Sequence, residues 1–397
     1  MAIKNLPEVL IVDILSRLPV KSLLRFSCVC KSWCALIVKD PVFIKLHLSR
    51  SLASNSNLSL IFSGSRLSSV EFDVCEQQEV DQVELDHPLK SPRYRIEVLG
   101  SCNGLLCISR SYVGNVFLWN PSTRRHQKLP IIPGENRMQS CTPRELAYGF
   151  GYNPTTEDYK VVRIRQWDFC KDDLSDNYWY SEVNVYELST NSWRSIGNMP
   201  LQRFQHRFGF LVNSAIHWLA ESETIADTVS STVISFDFKD EEFREVPLPD
   251  FVEDNFDMRI GVLGVELCVI CNFVGVHVEL WVMKHYGAKE SWVKQFSIEQ
   301  SVIGSFDHFR PICYSKIGEV LFEKDSKELV LYDSSRGRAK NLIISGVYET
   351  ATCIGSLVLL DAKDGPEHEE RNKKETEQRL MLHTLEDWRY FEDEEDE

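Results

Sequence analysis

Gly100-Ser101-Cys102-Asn103-Gly104 has the outline of a nucleophile elbow with cysteine at its centre. That device needs a strand before it and a helix after it, so that the nucleophile stands on a strained turn. Here the apolar run Leu105-Leu106-Cys107-Ile108 follows instead, and Asn103-Gly104 is a hairpin dipeptide, so the segment reads as a turn. Cys268 and Cys271 have the spacing of half a zinc site or a redox pair. They sit in a strand pattern, where side chains three apart point to opposite faces, and no second CxxC or HxxxH answers them. Cys28, Cys30 and Cys34 read as small apolar packing residues, and His217 beside Trp218 as a structural histidine. There is no phosphate loop, no HExxH and no pair of carboxylates on neighbouring predicted strands. The expectation is no catalytic residue, no metal and no cofactor.

The elements around these residues point to binding instead. Ile11, Ile14, Leu15 and Leu18 form one apolar helical stripe, and Val20, Leu23 and Leu24 begin a second behind Pro19. Val29, Trp33, Leu36 and Ile37 make a third, and Asp40-Pro41 opens a fourth, short helix. So short a helical piece rarely stabilises itself, and it offers apolar faces to a partner. Residues 1–50 carry a net charge of +5 in a chain of −15, which suits an acidic partner.

The same run resembles the F-box motif of plant proteins, through Leu6-Pro7, Ile14-Leu15, Leu18-Pro19, Lys21-Ser22-Leu23, Arg25-Phe26 and Cys28-Val29-Cys30-Lys31-Ser32-Trp33. The resemblance implies a SKP-family adaptor and, through it, a cullin scaffold carrying the ubiquitin-transfer machinery. It also implies that Leu6, Pro7, Ile14, Leu15, Leu18, Pro19, Cys28, Val29 and Trp33 face the adaptor or order the helices that do.

Composition bounds the rest. The 397 residues suit two domains, one of them large, and a 43% hydrophobic, 26% charged chain is ordinary for a globular protein. No apolar run is long enough for a membrane span, and the N-terminus is not a secretory signal. Twelve cysteines then read as reduced thiols, and a net charge of −15 argues against nucleic acid. The expected location is cytoplasmic, nuclear or both. Residues 362–397 carry −8 and end in an unbroken acidic run, the composition of a disordered tail, which leaves −12 for residues 51–361.

In that middle one pattern recurs. VFLWNP (116–121), VNVYEL (183–188), VISFDF (233–238), VELWVM (278–283) and LVLYDS (329–334) share an aromatic at the fourth place. Another strand begins seven residues later, at His126, Trp193, Phe243 and Ala339, or eleven later at Trp292. A second hairpin precedes each unit, giving four strands per blade. A sixth blade pairs residues 348–360 with 59–62 and 70–74 and closes the ring from both ends. GSCNGLLCIS, LWNPSTRRHQKLP, GFGYNPTTEDYKVVRI and VYELSTNSWRSI are similar to the F-box-associated propeller of plants, a family that includes proteins restraining immunity by removing intracellular immune receptors, and the S-locus proteins of pollen. Lys284-His285-Tyr286 favours the immunity branch.

The expected fold is thus α+β multidomain: a trihelical F-box over 1–50, an all-β propeller of six blades over 51–361, and a disordered acidic tail over 362–397. Strand counting puts nearly all long loops on one face of the ring: 131–146, 167–181, 197–207, 220–231, 250–257 and 299–309. They carry Arg137, Arg144, Trp167, Phe169, Tyr178, Trp179, Arg203, Phe204, His206, Phe306 and Phe309, the residue types that dominate interface hot spots. The resemblance implies the substrate-recognition subunit of a SKP–cullin–F-box ubiquitin ligase, for which those loops are the target surface. A ligand-binding or enzymatic propeller, and an F-box scaffold acting without ubiquitylation, remain the alternatives.

Overall fold

The structure, a computed structural model, describes residues 7–54, 57–72, 82–89, 95–110, 115–132, 145–169, 178–199, 203–223, 229–251, 256–342 and 349–360. The chain divides into two compact units, Met1–Leu359 and Leu360–Glu397. The second, with the acidic tail, lies outside the described residues but for Leu360.

Four helices open the first unit: α1 (Glu8–Leu15), α2 (Val20–Phe26), α3 (Lys31–Lys39) and α4 (Pro41–Ser54). Pro7 and Pro19 stand at the starts of α1 and α2, where proline's missing N–H costs nothing. The Asp40 carboxylate accepts hydrogen bonds from the backbone N–H of Val42 (2.8 Å) and Phe43 (3.2 Å), capping α4. Far from short, α4 runs 14 residues and passes the expected boundary at residue 50. Its inner face explains the length. His47 Nε2 lies 2.9 Å from the Leu18 carbonyl, and Arg50 donates to the Asp13 carbonyl (3.0 Å) and carboxylate (2.7 Å). Leu15, Leu23, Ile37 and Phe43 are buried between the helices.

Among the described residues the strands form six antiparallel sheets, the blades of one propeller. The innermost strands follow one another around the axis in the order Glu349–Ile354, Ile96–Cys102, Glu145–Asn153, Phe210–Val212, Asp257–Leu263, Phe309–Tyr314. Closure comes from both chain ends: Leu58–Ser63 pairs with Glu349–Ile354, with Leu58 opposite Ile354 and Ser63 opposite Glu349. The recurring aromatics lie on third strands, and four of the five are buried: Trp119, Tyr186, Phe236 and Tyr332. Their partners across the sheet are His126, Trp193, Phe243 and Ala339, as the seven-residue spacing predicts. In the blade over 257–299 the long turn 284–291 sets Trp292 opposite Met283 and Lys294 opposite Trp281, and a register shift follows between Trp281 and Leu280.

Side chains then tie blade to blade. The Asn120 amide, fully buried, donates to the carbonyls of Ser356 (3.1 Å) and Val358 (2.9 Å) while its oxygen caps the turn at Ser122 (2.9 Å). Asn153, in a second Asn-Pro turn, does the same to the Phe238 carbonyl at 2.8 Å. Trp193 and Trp292 each donate at 2.8 Å to the carbonyl of a proline ending the preceding blade, Pro130 and Pro247. Gly104 (φ +78°) completes the tight turn after Cys102, where a Cβ would lie 2.2 Å from that of Ser356.

Candidate functional site

The two ends of the propeller differ. The helical head sits at the end of the ring that carries the short turns. Its α4 salt-bridges Lys45 to Glu157 of the 154–157 turn at 2.7 Å, and Leu52 borders the axial channel there beside Tyr152, Asn213 and Val265. Chain direction agrees: Leu58, just past α4, pairs with Ile354 at that same end. The second-to-third loops and the blade connections emerge at the opposite end, away from the head.

On the head, the apolar residues divide into two sets. Leu15, Val20, Leu23 and Ile37 are buried, whereas Val9 (78% exposed), Leu10 (48%), Ile14 (51%), Val29 (63%) and Val42 (73%) face outward. Of the residues carried by the motif, Pro7, Ile14, Pro19, Cys28 and Val29 are exposed. Leu18 is half-buried, and Trp33 is half-buried against Phe26, ring centroids 5.9 Å apart. Leu15 serves the core, not the surface, and Leu6 lies outside the described residues. Val9, Leu10 and Val42 were missed because they fall off the inward stripe; a second apolar face on so short a helix was the available signal. The free thiols Cys28 and Cys30 are exposed and Cys34 half-buried, which corrects the reading of all three as packing residues.

At the far end several expected surface residues turn out to be structural. Trp167 is buried in the long strand Asp158–Phe169, its ring beneath the Arg165 guanidinium at 4.8 Å. Phe204 packs on Trp218, centroids 5.8 Å apart, and Phe309 stacks on Phe322 at 4.5 Å. These three are corrected from target contacts to core, since no ring face is left to offer. Phe306 is half-buried against Phe309, and His206 is stacked on Phe208 at 5.6 Å. Arg137 and Arg144 lie outside the described residues; Phe169, Tyr178, Trp179 and Arg203 are placed in strands, but their side chains lie outside what is described.

What the strand pattern did not reveal is an ionic ring around the channel mouth at this end. Arg207 holds Glu97 through both carboxylate oxygens at 3.2 and 3.1 Å. Arg310 is buried against Glu323 (2.9 Å) and donates to the Thr350 carbonyl (2.5 Å), while the Thr350 N–H donates to Glu323 at 2.6 Å. This cluster ties the blade over 309–342 to the closing strand. Arg259 donates to the Gln205 side chain. Burial, helped by the neighbouring positive charges, lowers His206 to about 3 and His308 to about 4, so both are neutral at pH 7. Glu349 is pushed up to about 7, chiefly by desolvation. No sequence motif links these residues; they come from six distant segments that the ring alone brings together.

The cysteine and histidine candidates resolve as structural. Cys102 ends an inner strand and its thiol is pushed up to about 12 by burial. Cys268 and Cys271 belong to different hydrophobic clusters on opposite sides of one strand, and burial raises both thiols. His217, lowered to about 4 by burial, meets the Tyr286 hydroxyl at 2.8 Å. Among the described residues no helix is long and apolar enough to cross a membrane.

Comparison with known proteins agrees with this division. Residues 3–45 match the F-box domain and residues 58–358 the F-box associated beta propeller domain. The chain is 32% identical over 377 residues to F-box protein CPR1 of Arabidopsis thaliana, covering 89% of each protein. It is 33% identical over 345 residues to F-box/kelch-repeat protein At3g23880 of the same plant, covering 84% of this chain and 89% of the relative. A helical head with an outward apolar face, joined to a six-bladed ring closed by both chain ends, thus makes this chain a member of the F-box proteins that carry an F-box-associated β-propeller.

Proposed function

We propose that the protein is the substrate-recognition subunit of a SKP–cullin–F-box ubiquitin ligase, working in the cytoplasm, the nucleus or both. The observation that carries this reading is the separation of two faces. The outward apolar set Val9, Leu10, Ile14 and Val29 suits an adaptor groove, and the loop end of the ring faces away from it. A target held at that far end is presented at a distance fixed by a rigid ring, and catalysis is proximity: a target lysine is kept near the charged conjugating enzyme. The receptor itself needs no active site for this. An intracellular immune receptor is the target class that the family resemblance favours. Lys284-His285-Tyr286 adds no weight to it, because Tyr286 is engaged in packing against His217.

The experiment is co-purification from plant cells with the proteasome inhibited. The adaptor should be recovered in stoichiometric amount, together with a ubiquitylated target. Replacing Arg137/Arg144 or Tyr178/Trp179 by alanine should lose the target and keep the adaptor. Stable adaptor binding with no target turnover would favour the scaffold reading instead.

A further inference from the structure

The axial channel is a built cavity that neither docking face uses. Its volume is about 460 Å³, within the ordinary range for sites that enclose a small organic molecule. Inner strands of different blades supply an apolar wall, including Val98, Val212, Val262 and Ile312, and Leu52 of α4 borders the head-side mouth. Near the loop-side mouth the lining becomes ionic, with Arg310 and Glu349.

Those two groups are not in the same position. Arg310 is fully engaged by Glu323 and the Thr350 carbonyl, and nearby Arg207 is engaged by Glu97. The Glu349 carboxyl has no hydrogen-bond partner among the described residues, although its own backbone carbonyl accepts from Ser63 (3.3 Å). Around it, two arginines face three carboxylates: Arg207 and Arg310 against Glu97, Glu323 and Glu349. His206 and His308 are neutral, and Arg259 is turned to Gln205. Glu349 is therefore the one carboxylate of the group without an arginine partner.

We propose that the channel binds a small amphipathic organic cation, an alkylammonium whose head pairs with the Glu349 carboxylate and whose stem lies along the apolar wall. Burial keeps Glu349 half-protonated near pH 7, so a cation that restores its charge gains a hydrogen-bonded ion pair out of bulk water. An anion would meet this carboxylate with both nearby arginines already committed. A free ligand is favoured over a lysine side chain inserted from a bound protein because the lining continues past the mouth as far as Leu52 on the head side. Binding of the cation should release a proton from Glu349 at pH 6 and tighten by about tenfold per pH unit below its pKa.

The test is ligand-observed NMR and calorimetry on the full chain with hexylamine, hexanoate and Nα-acetyl-lysine methylamide as probes. Hexylamine should bind at least tenfold tighter than hexanoate and should tighten between pH 6 and pH 7. Glu349→Gln should weaken hexylamine about tenfold and remove that pH dependence, with the melting midpoint as the control for folding. Ala351→Phe, which fills the channel at a lining position, should abolish binding; if Glu349→Gln unfolds the ring, this variant decides. Equal or tighter binding of hexanoate, tighter binding of the lysine amide, or hexylamine binding that survives Ala351→Phe overturns the proposal.

Discussion

At the scale of single residues the ring is closed by buried charge as much as by strands. Arg310 and Glu323 are 8% and 0% exposed at the side chain, and Thr350 of the closing strand bonds to both. Removing one partner leaves the other charged, dry and unpaired, so Arg310→Met should cost about 3–5 kcal/mol in denaturant unfolding. Replacing both by apolar residues of similar size should cost much less. Glu349, nearby, should give a measurable pH slope. Its folded pKa of about 7 lies above the ordinary glutamate value of 4.5, so the folded state holds the proton longer than the unfolded one. That stabilisation is complete below about 4.5 and is lost as pH rises to about 7. His206 and His308 act with the opposite sign: lowered from 6.5 to about 3 and about 4, they make stability rise with pH up to about 6.5. The difference between wild type and Glu349→Gln isolates the carboxyl. The wild type should lose stability relative to the variant between pH 4.5 and 7, and a flat difference would refute the burial of that group.

At the scale of elements, helix α4 decides how the head meets the ring. It carries His47 and Arg50 against the first two helices, then delivers the chain to the strand that closes the propeller. The outward set on α1 and before α3 is free of that duty. Val9→Asp with Leu10→Asp, or Val29→Asp alone, should therefore cost adaptor binding about 2 kcal/mol or more while the melting midpoint holds. Calorimetry against the purified adaptor, beside a thermal scan, separates the two effects. Strands show where sequence reading succeeds and where it fails. The aromatic at the fourth place of each third strand is legible because it repeats in one register, and four of five pairings follow from a fixed turn length. In the fifth the longer turn over 284–291 moves the start of the fourth strand to Trp292, so Lys294 stands opposite Trp281; the bulge beyond that pair, between Leu280 and Trp281, is what spacing alone does not reveal. Trp167 was expected in a loop because strands usually run about 5–6 residues, whereas Asp158–Phe169 runs 12 and carries Trp167 into the core. The ionic mouth was illegible for a different reason. Glu97, Arg207, Arg310 and Glu349 are unremarkable charged residues in sequence, and only closure of the ring makes them neighbours.

At the scale of the whole molecule, a propeller closed from both ends has no weak seam to open first. The pairing of Leu58–Ser63 with Glu349–Ile354 is continued by the bond from Gly355 N–H to the Asn57 carbonyl at 2.8 Å. It is backed by Asn120, whose amide grips the carbonyls of Ser356 and Val358 on the far side of the same segment. Truncation before residue 345 removes all of these together and exposes Leu60 and Phe62, which are now buried among residues of the neighbouring blade such as Leu321 and Leu331. Every inner strand borders the axis, so loss of one opens the ring and removes part of the lining that the others share. Such a truncation should therefore lower the midpoint of all blades at once, in a single transition read alike by tryptophan fluorescence and circular dichroism. Removing residues 362–397 is the matched control. It takes away a segment of net charge −8 and spares every contact named above, so the midpoint should move by no more than a few degrees. Two separate transitions in the first variant would mean that the blades fold independently. A large drop in the second would mean that the acidic tail packs on the ring and belongs to its fold.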